Sequence, residues 1–246
     1  KLLEFQKSQE KRNYIGASMI GEECLRKVQL QYMHKQPEIS AKTLRTFDIG
    51  HCLEDLVANW LRIAGFYLLT KAENGEQFGF SVAEGKIAGH VDGIIQAFPK
   101  ELQQHDVGTC VIEQQAQRTE RSTKSNNGSR DHPWLWECKT LNSRSWSDLN
   151  KRGVMISKPI YYAQIQLYMA YMELEKCLFT ALNKDSSELY FEIVPFDSET
   201  AQKYSDRAVQ VLKATENNEL MPCISGDSSF YQCKMCGFRN ECWKKE

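Results

Sequence analysis

Apolar residues recur at helical spacing between Asp48 and Ala64, where Ile49, Leu53, Leu56, Val57, Trp60 and Leu61 follow a 3.6-residue repeat. Asp48 stands where an N-cap is expected and Gly65 where a helix stops. A second helix is predicted over Ser18–Met33, carrying Cys24, Arg26 and Lys27. Gln77–Val82 and Ile87–Phe98 read as strands joined by a turn at Glu84-Gly85. Trp134–Thr140 is a short apolar strand that ends in polar residues. Pro159 suits the first turn of a helix running to Glu175. Cys177–Asn183 and Glu188–Pro195 are strand-like, the second alternating with period two, and Asp197 caps a last long helix to Glu216. The polar stretch from Pro99 to His132, with Lys124-Ser125-Asn126-Asn127-Gly128-Ser129 inside it, reads as a long insertion that holds at most a short extra strand over Val107–Gln114. No internal repeat is visible.

A chain of 246 residues, 41% hydrophobic, is long enough for one sizeable core, or for one core with a small module attached. The division expected is an N-terminal helical segment over residues 1–47, a core over 48–220 with the 99–132 insertion, and a cysteine-rich tail over 221–246. No apolar run is long enough to cross a bilayer, and no signal peptide is legible at Lys1, so a soluble cytoplasmic protein without membrane contact is expected. The formal charge of −1 excludes a general polycation, so nucleic acid would need local basic surface. Candidates are Arg118, Arg121, Lys124 and Arg130, then Arg144, Lys151 and Arg152, then Lys234, Arg239, Lys244 and Lys245, each of which also reads as ordinary solvated surface.

The order of elements carries chemistry. Asp92, in Gly89-His90-Val91-Asp92-Gly93, falls on one predicted strand, and Glu137-Cys138-Lys139 on the next. Successive strand residues point to opposite faces, so Glu137 and Lys139 share a face while Cys138 points into the core, its carbonyl left free. Two carboxylates with a lysine beside them suit a hard divalent cation and a phosphate. Gln164 and Tyr168, four residues apart, lie on one face of the Pro159 helix. Taken singly, Glu-x-Lys is a common surface pair and His51 an ordinary helix residue, and only the combination points to a site. Glu54 and Asp55, one turn from His51, read either as partners that orient its ring or as a solvated helix face. His90 shares a strand face with Asp92 and is within reach of a substrate.

Nine cysteines are many, and the odd count argues against a closed disulfide framework. Cys233-x-x-Cys236-x5-Cys242 has metal-ligand spacing and needs a fourth thiolate, for which Cys223 and Cys24 are both candidates. A zinc site of Cys223, Cys233, Cys236 and Cys242 and an iron–sulfur cluster remain open on thiolate identity alone. Cys52, Cys110, Cys138 and Cys177 read as ordinary buried or loop residues.

His51, Asp92, Glu137 with Lys139, and Gln164 with Tyr168, in that order over residues 48–183, resemble the PD-(D/E)XK nuclease superfamily and its RecB-like branch. The resemblance implies an α/β restriction-endonuclease-like fold, with a mixed central sheet flanked by helices and the site at a sheet edge. It implies Mn²⁺ or Mg²⁺ held by His51, Asp92, Glu137 and the Cys138 carbonyl, with Lys139 steadying the nucleophile and Gln164 and Tyr168 positioning Lys139 or DNA. A histidine ligand tilts that choice toward Mn²⁺. Cys24 before the core, with Cys233, Cys236 and Cys242 after it, is similar to the iron–sulfur members, which include CRISPR-associated adaptation exonucleases and single-domain phage forms. That arrangement implies a [4Fe–4S] cluster joining the N- and C-terminal segments. The expected activity is exonuclease action on single-stranded DNA ends or flaps, with protein partners in recombination, repair or CRISPR adaptation. The other readings are a sequence- or structure-specific endonuclease and a non-catalytic DNA- or partner-binding subunit. Trp243 and Phe238, among basic residues, are expected to stack on a strand or to pack around the cluster.

Overall fold

A computed structural model describes residues 12–33, 40–99 and 132–243. In chain order the elements are β1 (Ile15–Gly16), α1 (Ala17–Ile20), α2 (Leu25–Tyr32), α3 (Ala41–Ile63), β2 (Tyr67–Leu69), β3 (Gly79–Val82), β4 (Ile87–His90) and β5 (Gly93–Ala97). They continue with β6 (Trp134–Leu141), α4 (Ser143–Ser157), α5 (Pro159–Tyr171), β7 (Lys176–Asn183), β8 (Leu189–Pro195), α6 (Ser198–Glu216), α7 (Tyr231–Lys234) and α8 (Arg239–Cys242). The predicted extra strand at Val107–Gln114 and most of the insertion lie outside the described residues.

The strands form two sheets. One has the order β1-β4-β3, the other β2-β5-β6-β7-β8. In the larger sheet β6 and β7 run parallel and the remaining pairs antiparallel. A parallel neighbour needs a crossover, and here α4 and α5 supply it between β6 and β7. The hydrophobic core divides around this sheet. Val57, Ala58 and Leu61 of α3 pack with Trp136, Cys138 and Leu178, whereas Leu135, Ile165, Leu167, Met169 and Phe179 belong to the cluster that also takes in Val211 of α6. The alternation of β6 is therefore read twice: even positions 136 and 138 face α3 and odd positions face the other helices.

Several expectations are corrected. The helix predicted from Asp48 begins a full two turns earlier, at Ala41, with Ser40 as N-cap accepting from the Thr43 N–H at 3.1 Å. Asp48 is an interior residue; the apolar repeat marked only the half that packs on the sheet, and Ile49 is exposed. The helix expected over Ser18–Met33 is two helices, interrupted at residues 21–24, with extended Cys24 as the N-cap of α2. The single strand expected over Ile87–Phe98 breaks at Val91-Asp92 into β4 and β5, each in a different sheet. The helix from Pro159 ends at Tyr171 rather than Glu175. Helix α4 was not foreseen, its sequence being polar and rich in serine. The strands at Trp134, Cys177 and Glu188 stand as expected, as does the Asp197 cap, whose Oδ1 accepts from the Thr200 N–H at 3.1 Å.

The break between β4 and β5 depends on close packing at its start and end. A Cβ on Gly93 would meet Leu68 Cδ1 and the Leu69 carbonyl oxygen, both at 2.8 Å. Backbone contact of that kind cannot be relieved by a rotamer change. Gly93→Ala is expected to lower stability by about 1–3 kcal/mol, the cost of overpacking, as a fall in urea midpoint with unchanged slope.

Candidate active site and thiol pocket

The strand break delivers the carboxylate. Asp92, freed from the ladder, turns its Oδ2 to accept the Cys138 backbone N–H at 2.8 Å, which pins it against β6. Glu137 points the other way from Trp136 and is fully buried. Its Oε1 accepts a short hydrogen bond from Lys139 Nζ, and Lys139 Nζ lies 3.8 Å from Asp92 Oδ2. Glu137 Oε2 is buried without a hydrogen-bond partner. An unpaired carboxylate oxygen away from water is costly unless a cation or donor completes it.

Helix α5 closes the far side. Gln164 Nε2 donates to Tyr168 Oη at 3.0 Å, both side chains being buried. The Tyr161 ring stands 5.5 Å from Lys139 Nζ. Tyr168 reaches this place because residue 89 is glycine: a Cβ there would lie 2.4 Å from Tyr168 Cε1. The structure thus brings together Asp92, Glu137, Lys139, Gln164 and Tyr168, and Cys138 packs in the α3-side core as its strand position requires. His51 is exposed on α3.

Glu54, left open by the sequence between a partner of His51 and a solvated helix face, is half-buried. Burial, followed by the Asp92 charge, raises its carboxyl from the ordinary range to about 7, with Lys139 opposing. Glu137 is pushed up by the same causes, burial first and Asp92 next, against the pull of Lys139. A Cβ on Gly50 would lie 3.6 Å from Thr140 Oγ1 of β6, and Glu54 follows four residues on along the same helix face. Three carboxylates therefore share one field, answered by one ammonium. Among the described residues, no three His, Cys, Asp or Glu side chains stand close enough together to hold a metal ion as placed. Lys139, between Glu137 and Asp92, fills the cationic position instead.

A second constellation joins the two ends of the chain. Cys24, Cys223, Cys233, Cys236 and Cys242 line one cavity of about 260 Å³ together with Phe238 and Trp243. The sulfurs of Cys223 and Cys242 are 3.2 Å apart, and the Phe238 N–H donates to Cys236 Sγ at 3.4 Å. Burial, then neighbouring cysteines, raises the Cys223 thiol to about 11. Phe238 is 2% exposed and packs the pocket. Protein hydrogen bonds already fix the ends. Buried Gln29 accepts from the Met221 N–H at 2.7 Å and donates to the Glu219 carbonyl at 2.6 Å, while Arg26 Nε donates to the Met221 carbonyl at 2.5 Å. Of the cysteines read as ordinary, Cys138 and Cys177 are buried, Cys52 is exposed, and Cys110 lies outside the described residues.

Fold and site together define a class: a mixed-sheet α/β protein with an acidic, lysine-bearing centre where two sheets part. No family model and no curated protein matches the chain. Solved structures do. The alkaline exonuclease LHK-Exo of Laribacter hongkongensis superposes with a TM-score of 0.52 at 15% identity, covering 85% of this chain and 90% of that one. Its complex with dAMP gives 0.53 at 14%, with the same coverage. A protein designated SSO0001 gives 0.53 at 18%, covering 100% of this chain and 93% of that one. At these identities the likeness establishes a shared fold.

The raised carboxyls set a pH dependence. A folded-state pKa above the unfolded value adds stability that is full below the unfolded pKa and is lost as pH rises through the folded one. The cation-free protein is therefore expected to lose stability as pH rises through about 7, where Glu54 ionises beside Asp92. Glu54→Gln should flatten that slope in urea midpoints taken across this range. An unchanged slope would show that Glu54 is solvated.

Proposed function

We propose that this chain is a metal-dependent deoxyribonuclease, an exonuclease acting on single-stranded DNA ends or flaps. The observation that carries the reading is the fully buried Glu137, with Oε2 unpaired, beside Asp92 and Lys139. The fold shared with an alkaline exonuclease, one of whose structures holds dAMP, supports it.

The donor set fits a hard cation: carboxylate oxygens of Asp92 and Glu137 with the Cys138 carbonyl, completed by His51, as the sequence suggests, or by Glu54, as burial suggests. Mn²⁺ or Mg²⁺ would supply an activated water and charge stabilisation at the phosphate. Glu54 rather than imidazole as the fourth donor leaves the choice of ion more even. The residues do the rest. Asp92 is held by the Cys138 N–H, so its free oxygen has a fixed direction. Lys139 neutralises the carboxylates, and its ammonium would be free to meet the scissile phosphate if a bound cation took over that role. Tyr168 and Gln164 form the buried wall behind it, and the Tyr161 ring limits where the ammonium can go.

The thiol pocket would hold a [4Fe–4S] cluster on Cys24, Cys233, Cys236 and Cys242. Soft thiolates around one cavity suit it, and zinc, with Cys223 in the set, is the competing occupant. Its role is structural, since it lies where the chain ends are already tied by Gln29 and Arg26.

Digestion of end-labelled single-stranded DNA beside a closed circular control, in Mn²⁺ and in Mg²⁺, tests the activity. Cleavage confined to linear DNA is expected, with Lys139→Ala slower by about 10²–10³-fold, the usual loss of a charge-stabilising group. Cutting of closed circles would favour the endonuclease reading. No cleavage by folded, metal-supplied protein would favour a binding subunit. For the pocket, anaerobically purified protein is expected to be brown with iron and sulfide bound. Colourless protein with stoichiometric zinc would replace the cluster by the zinc site.

A further inference from the structure

The thiol pocket contains one cysteine more than a four-coordinate group can use. Five cysteines line it, and the sulfurs of Cys223 and Cys242 are 3.2 Å apart. Both are part-exposed, so a small oxidant reaches them. A single guanidinium holds their segments in register. Arg26 Nε donates to the Met221 carbonyl at 2.5 Å and Nη1 reaches Cys242 Sγ at 3.9 Å. Gln29 fixes the same segment through the Met221 N–H. Protein groups thus bring the segments that carry Cys223 and Cys242 side by side.

We propose that Cys223 and Cys242 are a dithiol–disulfide pair, joined by peroxide when the pocket lacks its metal group and reopened by thiol reductants. The proposal rests on the reading of this pocket as a metal site. Cys242 sulfur attacks one peroxide oxygen, the O–O bond breaks, and hydroxide leaves and takes up the thiol proton as water, giving a sulfenic acid. Cys223 sulfur then attacks that sulfur, the S–O bond breaks, and a second water leaves with the Cys223 proton. Two thiols lose two electrons and one peroxide becomes two waters. The product removes Cys242 from the ligand set. Cys24, Cys233 and Cys236 remain, one short of a tetrahedral site, so the pocket cannot be reloaded until the disulfide is reduced. The pairing also protects Cys242 from further, irreversible oxidation.

The test uses the whole chain. Elemental analysis of the purified protein for iron and zinc decides the metal-site reading on its own. Metal is then stripped with a chelator under reductant, the reductant removed, hydrogen peroxide added, and free thiols alkylated before peptide mapping. The expected result is a cross-linked peptide pair carrying Cys223 and Cys242, which dithiothreitol separates, with metal-loaded protein protected. Cys223→Ser and Cys223→Ala should both lose the cross-link and show oxygen added to Cys242 instead. After peroxide, wild type should take up Fe²⁺ with sulfide, or Zn²⁺, only once reduced. A Cys233–Cys236 cross-link in its place, no cross-link, or the same oxidation pattern in the variants would overturn the proposal. A metal-free preparation that still forms the Cys223–Cys242 bond would overturn the metal-site reading and leave the pair standing.

Discussion

A carboxylate sealed from water at the centre of a sheet is the constraint around which this molecule is organised. Glu137 on β6 is fully buried and carries an oxygen with no partner. Such a group is tolerated only where the surroundings answer its charge. Lys139, two residues along the same strand face, gives the nearest answer, and the Asp92 charge raises the demand. Asp92 can be there only because the chain leaves one sheet and joins another between His90 and Gly93. The site and the two-sheet topology are therefore one feature: the ladder is interrupted where the second acid must turn inward.

The helices then serve different ends. Helix α5 lies against the Glu137 side through Tyr168 and Gln164, the tyrosine admitted by the missing side chain at Gly89. Helix α3 covers the Trp136 side with Val57, Ala58 and Leu61, and its Glu54 is half-sunk where the sheets part. The cost of crowding three carboxylates is visible in the raised Glu54 and Glu137 carboxyls. Burial and mutual repulsion of these carboxyls are thus only partly answered by the Lys139 ammonium.

The thiol pocket is a separate construction with its own supports. Helix α2, with Cys24 as its N-cap, presents Arg26 and Gln29 two and five residues further on, and these grip the chain at residues 219–221. Neutral and charge-assisted hydrogen bonds dock the segments that carry the cysteines.

The sequence alone determined the strands at Trp134, Cys177 and Glu188, the Asp197 cap, and the shared face of Glu137 and Lys139. Each of these follows from period-two alternation or from a side chain bonding to a backbone group three residues away. It also announced the clustering of Cys233, Cys236 and Cys242, which is a matter of short spacing. What tertiary structure decided has a common cause, contact between segments distant in sequence. The start of α3 at Ala41 was hidden because its first two turns bury Leu44 alone, too little for a helical repeat. The break after His90 follows from the room available beside Leu68, Leu69 and Trp136, which no local pattern in β4 or β5 encodes. That Glu54 is half-buried while His51 is exposed depends on which stripe of the helix meets β6, a rotation of about 100° per residue that hydrophobic periodicity left undetermined. Cys223 beside Cys242 depends on Gln29 and Arg26, some 190 residues upstream, whose bonds to the Glu219 and Met221 backbone carry no sequence signature.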